Sequence, residues 1–251
     1  MKKKDIIVGV LGVLILGGLA FAGYRTYAYK KCMNARQFDQ EFNWQFNWKT
    51  GECEVVKVIE GYIAKPIIYL YPEEITNVTV ELGHPENTTH TYPKYQGPWR
   101  VQAEPNGDLT DLKTGRHYYA LYWEGVNTVS SAKPTEGFIV KGEETISFLE
   151  EKLGELGLIE REANEFIIYW LPKLESSPYN FIRFQTLAEQ NQNMPLEITP
   201  APKTLIRVMM EYENLDSPIK VVKQKLPKTP QRTGFTVVEW GGTKLNLKGK
   251  K

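Results

Sequence analysis

Three glutamates stand where sugar chemistry would use them. Glu124 follows Trp123, Glu239 precedes Trp240, and Glu136 stands just before the apolar run Gly137–Lys141. Two carboxyl groups flanking a cleft serve as acid and base on a glycosidic bond, and indole faces stack on sugar rings. Glu124, Glu136 and Glu239 are therefore the candidate catalytic carboxylates. Trp123, Trp240 and Arg232 are the candidate ligand contacts. Nothing in the sequence brings any two of them together. The ordinary alternative is that each glutamate pairs with Arg100, Arg183, Arg207 or Arg232 at a strand edge, and that the tryptophans fill the core.

Other chemistries lack their signatures. No G-x-S-x-G elbow, H-E-x-x-H, P-loop or G-x-G-x-x-G occurs. The histidines are His84, His90 and His117. Their spacing fits no helical or strand ligand pair, so neither a metal nor a cofactor is expected. Net charge is +1 with both signs interspersed, which argues against nucleic acid as the main partner. The 14 tyrosines and 6 tryptophans suit strands, interfaces or sugar-binding surfaces.

The segment that places these residues in a compartment is Ile6–Tyr24, which carries no charge. As a helix it would extend roughly 28 Å, close to the hydrocarbon thickness of a bilayer. It follows Lys2–Lys4 and precedes Arg25, Lys30 and Lys31, so flanking charge barely orients it. Ala20-Phe21-Ala22 would allow signal-peptidase cleavage before Gly23, giving a secreted protein. The length of the apolar run, and the aromatic belt Tyr24, Tyr27 and Tyr29, favour an uncleaved anchor. Cys32 and Cys53 are the two cysteines, both just beyond this segment. An even count there suggests a disulfide and an extracytoplasmic body, against the alternative of two reduced thiols. Asn77-Val78-Thr79 and Asn87-Thr88-Thr89 are glycosylation acceptors only in a host with that machinery.

The expected organisation is a basic cytoplasmic N-terminus (1–5), a transmembrane helix or signal anchor (6–24), a disulfide-closed juxtamembrane element (25–60), one globular domain (61–243) and a basic tail (244–251). Apolar at nearly every position, Lys65–Pro72 reads as a central strand buried on both faces. Thr76–Leu82 alternates and reads as its half-exposed neighbour. Further strands are expected at Pro98–Ala103, His117–Glu124, Gly137–Lys141, Phe166–Leu171, Tyr179–Thr186, Leu196–Thr199, Leu205–Tyr212, Ile219–Val222 and Gly234–Trp240, the last ended by Gly241-Gly242. The loops are Pro85–Tyr95 and Leu187–Met194. One clear helix is expected, Glu143–Leu156, with Ile146, Leu149, Leu153 and Leu156 on one stripe and Gly157 ending it. Ile67-Ile68-Tyr69 and Ile167-Ile168-Tyr169 recur, each followed three residues later by proline, which reads as two buried strands. The fold class is α+β and β-rich: a mixed or sandwich-like sheet with one main packed helix, preceded by a transmembrane helix.

The blocks Lys65–Pro72, Tyr122–Gly125, Glu136–Glu143, Asn164–Pro172 and Arg232–Gly242 together resemble an uncharacterised family of bacterial hypothetical proteins. The resemblance covers about Lys65 to Gly242 and implies one real domain; it implies no activity and no site. The function expected is a membrane-anchored extracytoplasmic binding or scaffolding domain. The runner-up binds or hydrolyses glycan through Trp and Glu. Expected partners are the membrane, through Ile6 to Tyr24, and an envelope protein or glycan.

Overall fold

The computed structural model describes residues 24–31, 43–47, 51–56, 61–127 and 134–245. The chain divides into two compact units, Met1–Val58 and Ile59–Lys251. In the first, residues 24–31 are helical (α1), and β1 (Asn43–Asn47) pairs antiparallel with β2 (Glu52–Val56). Gly51 enters β2 at φ 79°, a conformation that disfavours a side chain. Cys32, and with it the expected bridge, lies outside the described residues, as does the apolar segment up to residue 23. Among the described residues no helix is long and apolar enough to cross a membrane.

The second unit is built on two sheets. The larger runs, edge to edge, β14 (Val222–Lys223), β10 (Glu136–Lys141), β11 (Tyr179–Phe184), β13 (Thr204–Leu215), β15 (Thr236–Lys244), β3 (Gly61–Tyr71), β9 (Leu121–Asn127) and β5 (Thr88–Tyr92). Its β10–β14 and β13–β15 pairs are parallel and the rest antiparallel. The smaller sheet is antiparallel: β12 (Leu196–Thr199), β4 (Thr76–Leu82), β6 (Trp99–Ala103), β7 (Leu109–Asp111) and β8 (His117–Tyr118). Helices α2 (Thr145–Glu155) and α3 (Glu160–Leu174) cover one face of the larger sheet, and the smaller sheet covers the other. Strand alternation divides the core accordingly. Ile67 and Tyr69 join the helix-side core with Trp170 and Trp240, while Ile68 and Leu70 join the inter-sheet core with Val80 and Trp99. The unit is a β-rich α+β fold.

Several elements depart from the sequence reading. Phe166–Leu171 is not a strand. It lies within α3, whose buried stripe Ala163, Phe166, Trp170 and Leu174 has helical spacing. Pro172 falls in the last turn and is exposed; its missing N–H deserts only the carbonyl of Ile168, whose side chain is 74% exposed. There are thus two packed helices rather than one, and Tyr179–Phe184 pairs with β10 and β13. Within α2, Leu149 and Leu153 are buried but Ile146 is exposed. Gly157, at φ 94°, closes α2 by donating to Gly154 O while Leu158 donates to Leu153 O, a Schellman arrangement. β4 joins the smaller sheet and is not β3's neighbour. The expected loops contain β5 and a short helix, α4 (Leu187–Asn193), whose first turn is capped by Thr186.

Gly241 and Gly242 do not end β15; the strand continues to Lys244. A Cβ on Gly242 would lie 2.8 Å from the Trp170 ring, and one on Gly241 would lie 3.0 Å from Pro66 N. The glycine pair therefore lets α3 seat its indole on the sheet, and makes room for an irregularity in β3.

Candidate functional site

The irregularity is a β-bulge around Lys65. On the β9 side, Ile63 pairs with Gly125 and Ile67 with Tyr122, so three β3 residues face two; on the β15 side, Ala64 pairs with Gly242 and Ile67 with Trp240. One residue is therefore extra in β3. Pro66 has no N–H to offer a ladder, and Lys65 adopts φ 61°, a left-handed conformation costly for a side-chain-bearing residue. The Lys65 N–H donates to Glu124 Oε1 at 3.1 Å, a side chain replacing a backbone partner. The Tyr62 hydroxyl donates to Glu124 Oε2. His90 Nδ1 lies 4.0 Å from the same oxygen, and the Glu124 side chain is 15% exposed.

Lys65 sits at the wall of a cleft. Its Nζ lies 5.6 Å from the Tyr169 ring centroid and 5.9 Å from that of Tyr122, joining α3 to β9. Beyond it opens a cavity of about 470 Å³ lined by Lys65, Tyr92, His117, Tyr118, Tyr119 and Tyr122 among others. Tyr92 and Tyr119 are about half exposed. Arg116 packs its guanidinium against the rings of Tyr92 and Tyr118 at 5.9 and 5.8 Å. Lys173 Nζ lies 3.6 Å from the Tyr169 centroid and donates to Tyr169 O. Three of the blocks noted in the sequence, 65–72, 122–125 and 164–172, thus meet at this cleft and beside it.

The charge balance here is positive. Among the described residues Lys65, Arg116 and Lys173 form no ion pair, whereas Arg161 pairs with Glu165 at 3.6 Å. Burial holds the Lys173 ammonium below the ordinary lysine range; the nearby Lys65 charge adds to this and Glu124 opposes it. Burial raises the Tyr122 phenol, as does its hydrogen bond to Glu124, and burial raises Tyr169 also, so these hydroxyls stay protonated donors at neutral pH. The arrangement offers tyrosine faces and the Lys65 ammonium lining one concavity, with Arg116 and Lys173 packed on tyrosine rings near it. Such a set is chemically suited to a ring-shaped ligand bearing hydroxyls and an acidic group.

The other sequence candidates lie elsewhere. Glu239 is fully buried on the inter-sheet side, where it accepts from Trp123 Nε1 at 2.9 Å and from Arg207 Nε at 2.6 Å. The same Arg207 reaches Asn191 Oδ1 at 2.8 Å and Met194 O at 2.9 Å, so it ties three elements together inside the core. Trp123 and Trp240 are 1% and 0% exposed, so neither indole is open to a ligand. Arg232 is occupied by Glu162 and by Gly157 O, fastening the chain before β15 to the α2–α3 turn. Glu136 begins β10, opposite Val222 near the far edge of the sheet. The structure therefore brings Trp123 to Glu239 but separates Glu124, Glu136 and Glu239 onto three strands with different surroundings. The tyrosines of the cleft were missed by sequence reasoning; the run His117-Tyr118-Tyr119-Ala120-Leu121-Tyr122 was the available signal, and it reads equally well as a buried strand. Among the described residues no group of three His, Cys, Asp or Glu is placed to hold a metal ion.

No family model matches the chain, and no solved structure matches it. Among curated proteins it is similar to an uncharacterised protein in the bglA 3' region of Butyrivibrio fibrisolvens, at 38% identity over 64 residues. That alignment covers 24% of this chain and 65% of the other protein's length.

Proposed function

We propose that the chain is a membrane-tethered extracytoplasmic binding domain whose ligand is an acidic saccharide held in the tyrosine cleft. The observation that carries this reading is one open cavity of about 470 Å³ lined by Lys65, Tyr92, Tyr119 and Tyr122, with Arg116 packed on the Tyr92 ring beside it. Tyrosine rings supply the stacking faces that the buried tryptophans do not. Lys65 and Arg116 supply charge for a carboxylate or phosphate on the sugar. Binding without hydrolysis is favoured, because both Glu124 oxygens are engaged by Tyr62 and the Lys65 N–H, and Glu239 is sealed with Arg207 in a different core. The segment Ile6–Tyr24 anchors the domain, and a Cys32–Cys53 bridge closes the element that follows it. The relative from Butyrivibrio adds no ligand to this account.

The test is a titration of the full chain in detergent with oligogalacturonate and with neutral glucose oligomers of equal length. The acidic series binds and the neutral series binds at least about tenfold more weakly. Equal binding, or none, removes the proposal. Accessibility of the domain to protease in intact cells tests the outward orientation, and thiol labelling with and without reductant tests the bridge.

A further inference from the structure

The larger sheet leaves an edge unpaired. β14 pairs with β10 only at Glu136 and Gly137, although β10 runs on to Lys141. The Gln224 N–H donates to Gly137 O, so odd-numbered residues of β10 point their backbone groups away from β11. Ile139 and Lys141 therefore direct N–H and C=O outward beyond the reach of β14. The Lys141 carbonyl is taken by the 3-10 turn Gly142–Glu144, of which Lys141 is the N-cap, with Thr145 Oγ1 at 3.5 Å; the Ile139 N–H and C=O and the Lys141 N–H are left without a partner among the described residues. A groove of about 940 Å³ runs along this edge. Its floor is Gly137–Val140; one wall is α2 through Ser147, Phe148 and Glu151, and the other is the segment Ile219–Lys223.

The charges in the groove are unequally satisfied. Lys152 is held by Glu151 at 2.7 Å and Glu155 at 2.8 Å, and Glu144 by Lys141 at 3.2 Å. Lys220 and Lys223, on the opposite wall, form no ion pair among the described residues. A second copy of the chain docked edge to edge would set these lysines against their own counterparts. An acidic strand would neutralise them.

We infer that the outer edge of β10 is a docking site for an extended acidic peptide segment of a partner protein, which adds to the sheet as a strand. The added strand takes its backbone partners from the Ile139 N–H and C=O and the Lys141 N–H, lays apolar side chains over Phe148, and sets carboxylates against Lys220 and Lys223. This surface lies at the opposite end of the sheet order from β9 and β5, which border the tyrosine cleft, and the inference does not rest on the saccharide reading.

The probe is a synthetic peptide of alternating valine and aspartate, titrated into the full chain in detergent. Three companions carry backbone N-methyl groups on the odd residues, backbone N-methyl groups on the even residues, or lysine in place of aspartate. The acidic peptide binds, and the better-placed N-methyl series and the lysine peptide each bind about tenfold more weakly or worse. Lys220→Glu with Lys223→Glu reverses the charge preference. Ile139→Pro removes an outward N–H without removing a β10–β11 ladder bond, and weakens the peptide to a similar degree; the N-methyl comparison stands even where that variant folds poorly. Equal binding of the N-methylated peptides overturns strand addition. Equal binding of the lysine peptide overturns the charge assignment. No binding, or self-association of the chain through this edge that excludes the peptide, overturns the inference.

Discussion

Replacing Lys65 separates backbone strain from ligand recognition. At φ 61° any residue with a Cβ carries a penalty of about 1–2 kcal/mol that glycine does not. Glycine instead costs about 0.5–1 kcal/mol in unfolded-chain entropy relative to alanine. Both Lys65→Gly and Lys65→Ala forfeit the same contacts of Nζ with Tyr122 and Tyr169, and both keep the N–H to Glu124, so those terms cancel in the comparison. The glycine variant is therefore more stable than the alanine variant by about 0.75 kcal/mol at the centre of these ranges, the reverse of the order in an ordinary strand. Lys65→Val falls further below both, because a β-branched residue tolerates this region least. Urea unfolding of the full chain, fitted at constant m, reads the order directly. Binding follows a different order: all three lack the ammonium, and all three lose oligogalacturonate affinity by about tenfold or more. An alanine variant as stable as the glycine variant, or undiminished affinity in any of the three, would refute the reasoning.

Three further outcomes follow from contacts outside the cleft or at its margin. Arg207→Met strands Glu239 in the core with only the Trp123 N–H, and lowers stability by about 3–5 kcal/mol; adding Glu239→Leu recovers part of that loss in a denaturant double-mutant cycle. Arg232→Ala leaves the buried Glu162 carboxylate without its cation and costs about 2–3 kcal/mol on the same measure, with saccharide affinity unchanged. For Lys173 the folded value lies below the unfolded one, so the folded state binds fewer protons between the two, and stability rises as pH climbs through that window toward the ordinary lysine range. An NMR titration of its ε-methylene shows the value falling further in Glu124→Gln and rising in Lys65→Ala, since Glu124 opposes the depression and Lys65 adds to it.

Much of the strand framework is legible in the sequence, for identifiable reasons. Thr76–Leu82 alternates cleanly because one of its faces is buried, and Leu196–Thr199 is bounded by prolines. The repeated Ile-Ile-Tyr shows where the pattern fails. In β3 the triplet is buried on both faces; in α3 Ile168 is exposed and the neighbouring Phe166 and Trp170 carry the packing. Every position of Phe166–Leu171 is apolar, so no period distinguishes the two. The deciding information is tertiary: Trp170 needs the bare backbone of Gly242, 72 residues away by sequence number. The pairing of Glu239 with Arg207 belongs to the ordinary alternative that the sequence already offered, whereas Arg232 pairs with Glu162, a glutamate outside that set. The cleft was not legible because Lys65, Tyr122 and Tyr169 come from three separate segments, brought together by a bulge that depends on Pro66 and Gly241.

The most direct measurement is a crystal structure of the chain grown with a short oligogalacturonate. The account predicts a sugar ring stacked on Tyr119 or Tyr122, with its carboxylate within hydrogen-bonding distance of Lys65 or Arg116. Saccharide seated elsewhere on the domain, with the tyrosine cleft filled only by solvent, would contradict it.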